Sequence, residues 1–256
     1  MKKKLLLALL GILTVCCFLW GNHGIALAQP PIPVPDINLE IGTTEEPAQL
    51  VGTLQLLLLL AVLSLAPAFV ILMTSFTRIV IVLSFVRNAL ATQQIPPNQV
   101  IIGLALFLTF FVMAPVFSEI NETALSPFQE EEITFEETIE IGGQPLREFM
   151  LNNTRQHDLA IFLEIDNQEE DVAREEVPFR ALIPAFVLSE LKTAFQMGFL
   201  LFVPFLVIDM VVASALMSMG MFMLPPVIVS LPFKILLFVL VDGWHLVVRS
   251  LIESYS

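Results

Sequence analysis

Hydrophobic residues in this chain fall into three long tracts and one short one. The long tracts run from Leu50 to about Leu90, from Val100 to Phe117 and from about Ala181 to Ile252. As one straight helix the first would be roughly 60 Å long, about twice the hydrocarbon thickness of a bilayer, so it has to break, tilt or leave the lipid. Pro67 is the expected break, dividing it into Leu50 to Ala66 and Ala68 to Leu90, and Arg78 and Arg87 make the second piece partly polar. Pro96-Pro97-Asn98 ends that unit, with Asn98 as the expected cap of a spanning Val100 to Phe117 helix. The third tract divides at Pro225-Pro226 into Ala185 to Met219 and Val227 to Ile252. Asp242 is placed to cap or bend the last helix, and Trp244 to mark an interface.

Polar residues fill the interval from Glu119 to about Arg180. Within it, Leu146, Phe149, Met150, Leu159, Phe162 and Leu163 recur at helical spacing, which predicts a small helical element over Pro145 to Leu163. Gly142-Gly143 is expected to punctuate the segment, and its acidic flanks to be flexible. At the start of the chain Lys2, Lys3 and Lys4 precede the apolar run Leu5 to Leu19, and Ala26-Leu27-Ala28 stands before Gln29. This is the pattern of a signal peptide cleaved between Ala28 and Gln29. The alternatives are an uncleaved anchor, for which the run is short, and lipidation at Cys16, which lies inside the apolar run instead of ending it. The expected organisation is a signal peptide (1–28), a Pro-rich extended leader (29–49), a first helical membrane region (50–118), an acidic exported loop (119–180) and a second helical region (181–256). Export of the leader puts Arg78 and Arg87 on the cytoplasmic side.

Composition supports the membrane class, since 56% of residues are hydrophobic and 14% charged, with a mean hydropathy of +0.83. The net charge of −13 is local: 17 of the 25 acidic residues lie between Glu119 and Glu176. Lys and Arg number only 12, three of them at the extreme N-terminus, so no basic stripe is available for nucleic acid. Both cysteines, Cys16 and Cys17, fall in the N-terminal run, which removes disulfides and cysteine metal sites from the mature chain. His157 and His245 lie on different units, the carboxylates Asp209 and Asp242 carry no flanking protease motif, and Gly142-Gly143 lacks the Lys of a phosphate loop. No enzyme and no cofactor are expected. An ion-coupled transporter remains the alternative from another class, because broken helices with intramembrane charges build ion sites.

Two polar features interrupt the apolar helices. Ser189, Glu190, Lys192, Thr193 and Gln196 lie within one of them, where charge is costly in lipid and so faces protein or water. Ser189, Thr193 and Gln196 share a face, with Glu190 roughly opposite Gln196, an arrangement suited to assembly. Further on, Met217, Met219, Met221 and Met223 alternate around Gly220 and Phe222 before Pro225-Pro226. A soft thioether surface on a poor helix former suits a deformable seal, and equally a gap-filled core.

The order Pro184 to Phe199, Pro204 to Met221, then Leu231-Pro232-Phe233-Lys234 and Val241-Asp242-Gly243-Trp244 closely resembles the FliP family and its injectisome relatives. The likeness is looser over Leu50 to Phe117 and around Asn153 to Ala160. It implies an all-α membrane protein of kinked helices and helical hairpins, assembled into a helical oligomeric pore with a small helical exported loop. It further implies a homo-pentamer joined by FliQ, FliR and other export-apparatus membrane proteins in the inner membrane, at the flagellar basal body, passing unfolded flagellar proteins. In that setting Met219, Met221 and Met223 would be the pore gasket, with Met217, Gly220 and Phe222 in the same loop; relatives can carry another methionine where this chain has Phe222. Arg155, Asp209 and Lys234 match charged residues of the family, and with Glu190 and Lys192 they are the candidates for pairing or assembly. The signal peptide and acidic leader favour a flagellar over an injectisome member.

Overall fold

The computed structural model describes residues 47–92, 95–166 and 173–255; the expected signal peptide, its Ala28–Gln29 junction and almost all of the leader lie outside them. The chain divides into two compact units, 1–54 and 55–256, and the described part of the first is only the beginning of helix α1, Pro47–Leu72. That helix runs through Pro67 without breaking. A helical proline removes one hydrogen bond and bends the axis, and a leucine-rich run with strong helix propensity tolerates the loss. The chain turns instead at Met73 to Ser75, where Thr74 and Ser75 are buried and the Ser75 carbonyl lies 3.3 Å from the Tyr255 hydroxyl oxygen.

Helix α2, Phe76–Ala89, buries Arg78, Ile79, Val82, Leu83, Val86 and Ala89, the spacing of three and four that defines one helix face. Helix α3 spans Asn98–Ile120. Asn98 is not its cap: Pro97 holds that position, and the Asn98 side-chain oxygen instead accepts a hydrogen bond from Arg87. A π-helical turn, Asn121–Leu125, and the short α4, Ser126–Gln129, carry the chain out of α3. The start of the acidic segment is thus helical. Thr134 then starts α5, Phe135–Asn153, through a reciprocal capping box with Glu137.

The predicted Pro145 to Leu163 element is in fact parts of two helices, α5 and α6, Gln156–Ile165, separated at Thr154 and Arg155. Gly142 and Gly143 sit inside α5 instead of punctuating it. A Cβ at Gly142 would lie 3.3 Å from that of Ala124, so this glycine lets α5 approach the π-helical turn.

A 3₁₀ turn, Arg174–Glu176, leads into α7, Phe179–Ser218, whose 40 residues include Pro184 and Pro204. Helix α8, Pro226–Leu240, and α9, Gly243–Glu253, replace the single expected Val227 to Ile252 helix and meet at 62°. Asp242 makes the corner, in the left-handed region at φ 51°. The ring of Phe238 occupies the space where a Cβ on Gly243 would go, at 2.2 Å.

Two cores result. One packs Ile79, Val82, Leu83 and Val86 of α2 with Ile101, Ala105 and Leu108 of α3, Ala194 of α7, Phe238 of α8, and Val247 and Leu251 of α9. The other gathers Met150 of α5, Leu163 of α6 and Leu182 and Phe186 of α7. The stretch Asn98–Gln129 and α7 are long and apolar enough to cross a membrane, and the bent α8–α9 pair is a third span if taken together. With no strand among the described residues, this is an all-α membrane protein.

Candidate functional site

Helices α2 and α7 cross with charge at their centre. Arg78 Nε donates to Glu190 Oε2 at 3.0 Å, and a second guanidinium nitrogen to Oε1, a bidentate pair in which Arg78 is 3% and Glu190 0% exposed. The remaining nitrogen, Nη1, donates to the carbonyl and hydroxyl of Ser254, both at 3.0 Å. Tyr255 donates its hydroxyl to Glu190 Oε2 at 2.6 Å, and its ring lies 3.9 Å from the Arg78 guanidinium. Burial, then the neighbouring Glu190 carboxylate, pushes the Tyr255 phenol well upward, so it is held as a donor. Helix α2, helix α7 and the residues after α9 are tied at one ion pair, with most of its lone pairs and protons satisfied, as burial of charge requires.

A second network joins α6 to α7. Asp158, 1% exposed, accepts from Ser189 Oγ at 2.8 Å and from Lys192. The Ser189 hydroxyl accepts the Arg155 backbone N–H at 3.0 Å. The Arg155 guanidinium donates to Thr193 Oγ1 at 3.1 Å and to Gln196 Oε1 at 2.7 Å. Burial pushes the Asp158 carboxyl up, but its bonds to Lys192 and Ser189 and the charges of Lys192 and Arg155 outweigh it and hold the group below its ordinary value. Ser189, Lys192, Thr193 and Gln196 therefore face the polar loop, while Glu190 faces α2.

A third network ties α7, α8 and the end of α2. Lys234, 2% exposed, donates to Asp209 Oδ2 at 2.7 Å and to the Ala89 carbonyl at 3.2 Å. Ser230 donates to Asp209 Oδ1 at 2.5 Å.

Beyond α7 the methionine segment leaves the helix. The Met221 N–H donates to the Leu216 carbonyl and the Gly220 N–H to that of Met217, both at 3.0 Å, with Gly220 at φ +74°. This is the glycine-ended Schellman motif, and it fixes where α7 stops. Met217 belongs to the last helical turn, whereas Met219 to Leu224 form the connection and Pro225-Pro226 pre-set the start of α8. The connection is apolar and exposed: Met219 62%, Met221 46%, Phe222 79% and Met223 95%.

Sequence reasoning missed Arg78, Asp158, Ser230 and Tyr255 as network members. For Arg78 the signal was present, a charge on a helix otherwise apolar on that face; Asp158 and Tyr255 lie in polar stretches where burial leaves no trace.

Apolar helices tied together by three charge networks, with an exposed apolar connection between α7 and α8, define an all-α membrane protein. Comparison with known proteins specifies the kind. The FliP family model matches residues 59–251, and the chain belongs to the FliP family. Similar relatives include a flagellar biosynthetic protein FliP of Bacillus subtilis (strain 168), 58% identical over 217 residues, which are 85% of this chain and 98% of that one. That of Aquifex aeolicus (strain VF5) is 51% identical over 225 residues, 87% and 92% of the two chains. That of Pectobacterium carotovorum subsp. carotovorum is 56% identical over 203 residues, 79% of each.

Proposed function

We propose that this chain is a pore-forming subunit of the flagellar type III export gate in the bacterial inner membrane, a channel component and not an enzyme. It assembles as a homo-oligomer, a pentamer by family likeness, with FliQ and FliR, and unfolded flagellar proteins pass through the pore. The observation that carries this reading is the Met219–Leu224 connection: a run of thioethers and one phenyl ring, exposed to the extent of 95% at Met223, pinned at one end by Gly220 and at the other by Pro225-Pro226. Copies gathered in a ring bury these side chains against each other, and an apolar constriction stops ions by dewetting. Thioethers deform around a passing chain of any sequence. The names of the relatives favour the flagellar over the injectisome reading.

In this account residues 119–180 form an exported loop at the outer rim, after cleavage at Ala28–Gln29. Glu190, Lys192, Arg155, Asp209 and Lys234 hold each subunit in the shape the ring needs. A tagged copy extracted in mild detergent should bring down FliQ-like and FliR-like chains, and deletion of the gene should abolish both motility and flagellin secretion. Recovery of a lone monomer together with normal filaments in the deletion strain contradicts the proposal.

A further inference from the structure

Helices α2 and α8, with the turn after α2, enclose an open groove of about 690 Å³ that takes part in none of the three charge networks. Arg87, in the last turn of α2, is its only charged lining residue, beside Asn88. Val227, Ile228, Leu231 and Ile235 form its wall, at i, i+1, i+4 and i+8 along α8, which is one helix stripe. Among the described residues Arg87 has no carboxylate partner. It donates to the neutral side chain of Asn98, while its Nε is shielded from solvent and bonded to nothing. The helix dipole favours a cation at this end, yet it supplies no acceptor for that Nε.

The location narrows the occupant. Arg87 closes α2 and Asn98 opens α3, which is apolar from Val100 onward, so the guanidinium stands at the margin of a helix long and apolar enough to cross a membrane, the position at which basic groups meet lipid headgroups when such a helix spans. The aliphatic stripe leads away from it along α8, with Ile228 67% exposed. An occupant must bring an anion to one end and hydrocarbon to the other. We infer that this groove binds an anionic phospholipid, its phosphate against Arg87 and Asn88 and an acyl chain along Val227, Ile228, Leu231 and Ile235. A basic group beside an apolar helix surface favours such lipids by headgroup charge, and a guanidinium is the preferred partner of a phosphate.

The inference does not depend on the secretion role, and its test reads lipid. The whole assembly, extracted in mild detergent and stripped of lipid, is titrated with phosphatidylglycerol and with phosphatidylcholine of the same acyl chains, and retained lipid is counted by native mass spectrometry. Phosphatidylglycerol should be retained about fivefold better, the ratio one basic side chain near an anionic headgroup supports. Arg87→Gln should bring the two lipids to parity, Arg87→Lys should keep most of the preference, and Ile228→Ser with Leu231→Ser should weaken both lipids. Should Arg87→Gln fail to assemble, Asn88→Asp, which sets a carboxylate beside the guanidinium, should remove the preference instead. Inorganic phosphate alone should not displace the lipid. Equal retention by the parent protein, a preference that survives both Arg87→Gln and Asn88→Asp, or displacement by phosphate at matched concentration overturns the inference.

Discussion

At Arg78 and Glu190 the cost of a single side chain is set by what its removal leaves behind. Taking the negative charge from Glu190 strands a guanidinium that is 3% exposed, and breaking a buried pair in this way costs about 3–5 kcal/mol. Glu190→Gln should therefore lower the thermal midpoint of the purified assembly steeply. The double replacement Arg78→Met with Glu190→Leu should cost less than that single change, because no charge is left unpaired; a larger loss in the double variant contradicts the assignment. Asp158 behaves differently, since its carboxyl is held below the usual range. Its stabilisation is complete above the ordinary carboxylate value of about 3.9 and is lost as pH falls through the lowered folded value. Protection of the Gln156–Ile165 amides, that is exchange corrected for its intrinsic pH dependence, should fall on acidification below about pH 4, and Asp158→Asn should lower protection already at neutral pH with that pH dependence flattened. The residue pattern told which side chains were unusual but not which pairs they form: Glu190 and Lys192 stood out in one helix, yet their partners Arg78 and Asp158 are 112 and 34 positions away.

Packing of whole helices rests on a few places where no side chain fits. Gly198 of α7 lies against Phe85 of α2, whose ring is 2.5 Å from where a Cβ would stand, so α2 and α7 cross closely there. Gly198→Ala should loosen that crossing at about 1–3 kcal/mol, the cost of overpacking, read as a lower thermal midpoint with the α2–α7 charge pair intact. The same reasoning explains which helix ends were legible. Pro225-Pro226 and Gly220 act through local backbone rules, and the sequence located that turn to within a residue. Pro67, Pro184 and Pro204 follow the same rules and yet lie inside helices, because a proline bends a long apolar helix without ending it. The sequence points to a cap or bend at Asp242, and the structure has the corner there; the break at Met73–Ser75 and the tightness of the Asp242 corner depend on burial of Thr74 and Ser75 and on Phe238 filling the space above Gly243. Those are tertiary causes, and hydrophobic periodicity does not carry them.

For the whole molecule, the class was evident from three apolar tracts, and the order of motifs from Pro184 to Trp244 identified the family. What could not be read was how much of the apolar surface a single chain covers itself. Leu57, Leu58 and Leu63 of α1, Phe107 and Phe111 of α3 and Leu200 of α7 are all more than half exposed, apolar surface that lipid or, in the proposed gate, further subunits would cover. In the proposed export gate, the connection after α7 is the pore constriction. The most direct measurement is ion conductance across membranes holding the assembled complex, with Met219, Met221 and Met223 replaced together by alanine. The account predicts a leak at least several-fold above the parent with assembly intact, since a wider, wetter constriction no longer excludes ions. Unchanged conductance together with normal flagellin secretion would contradict it.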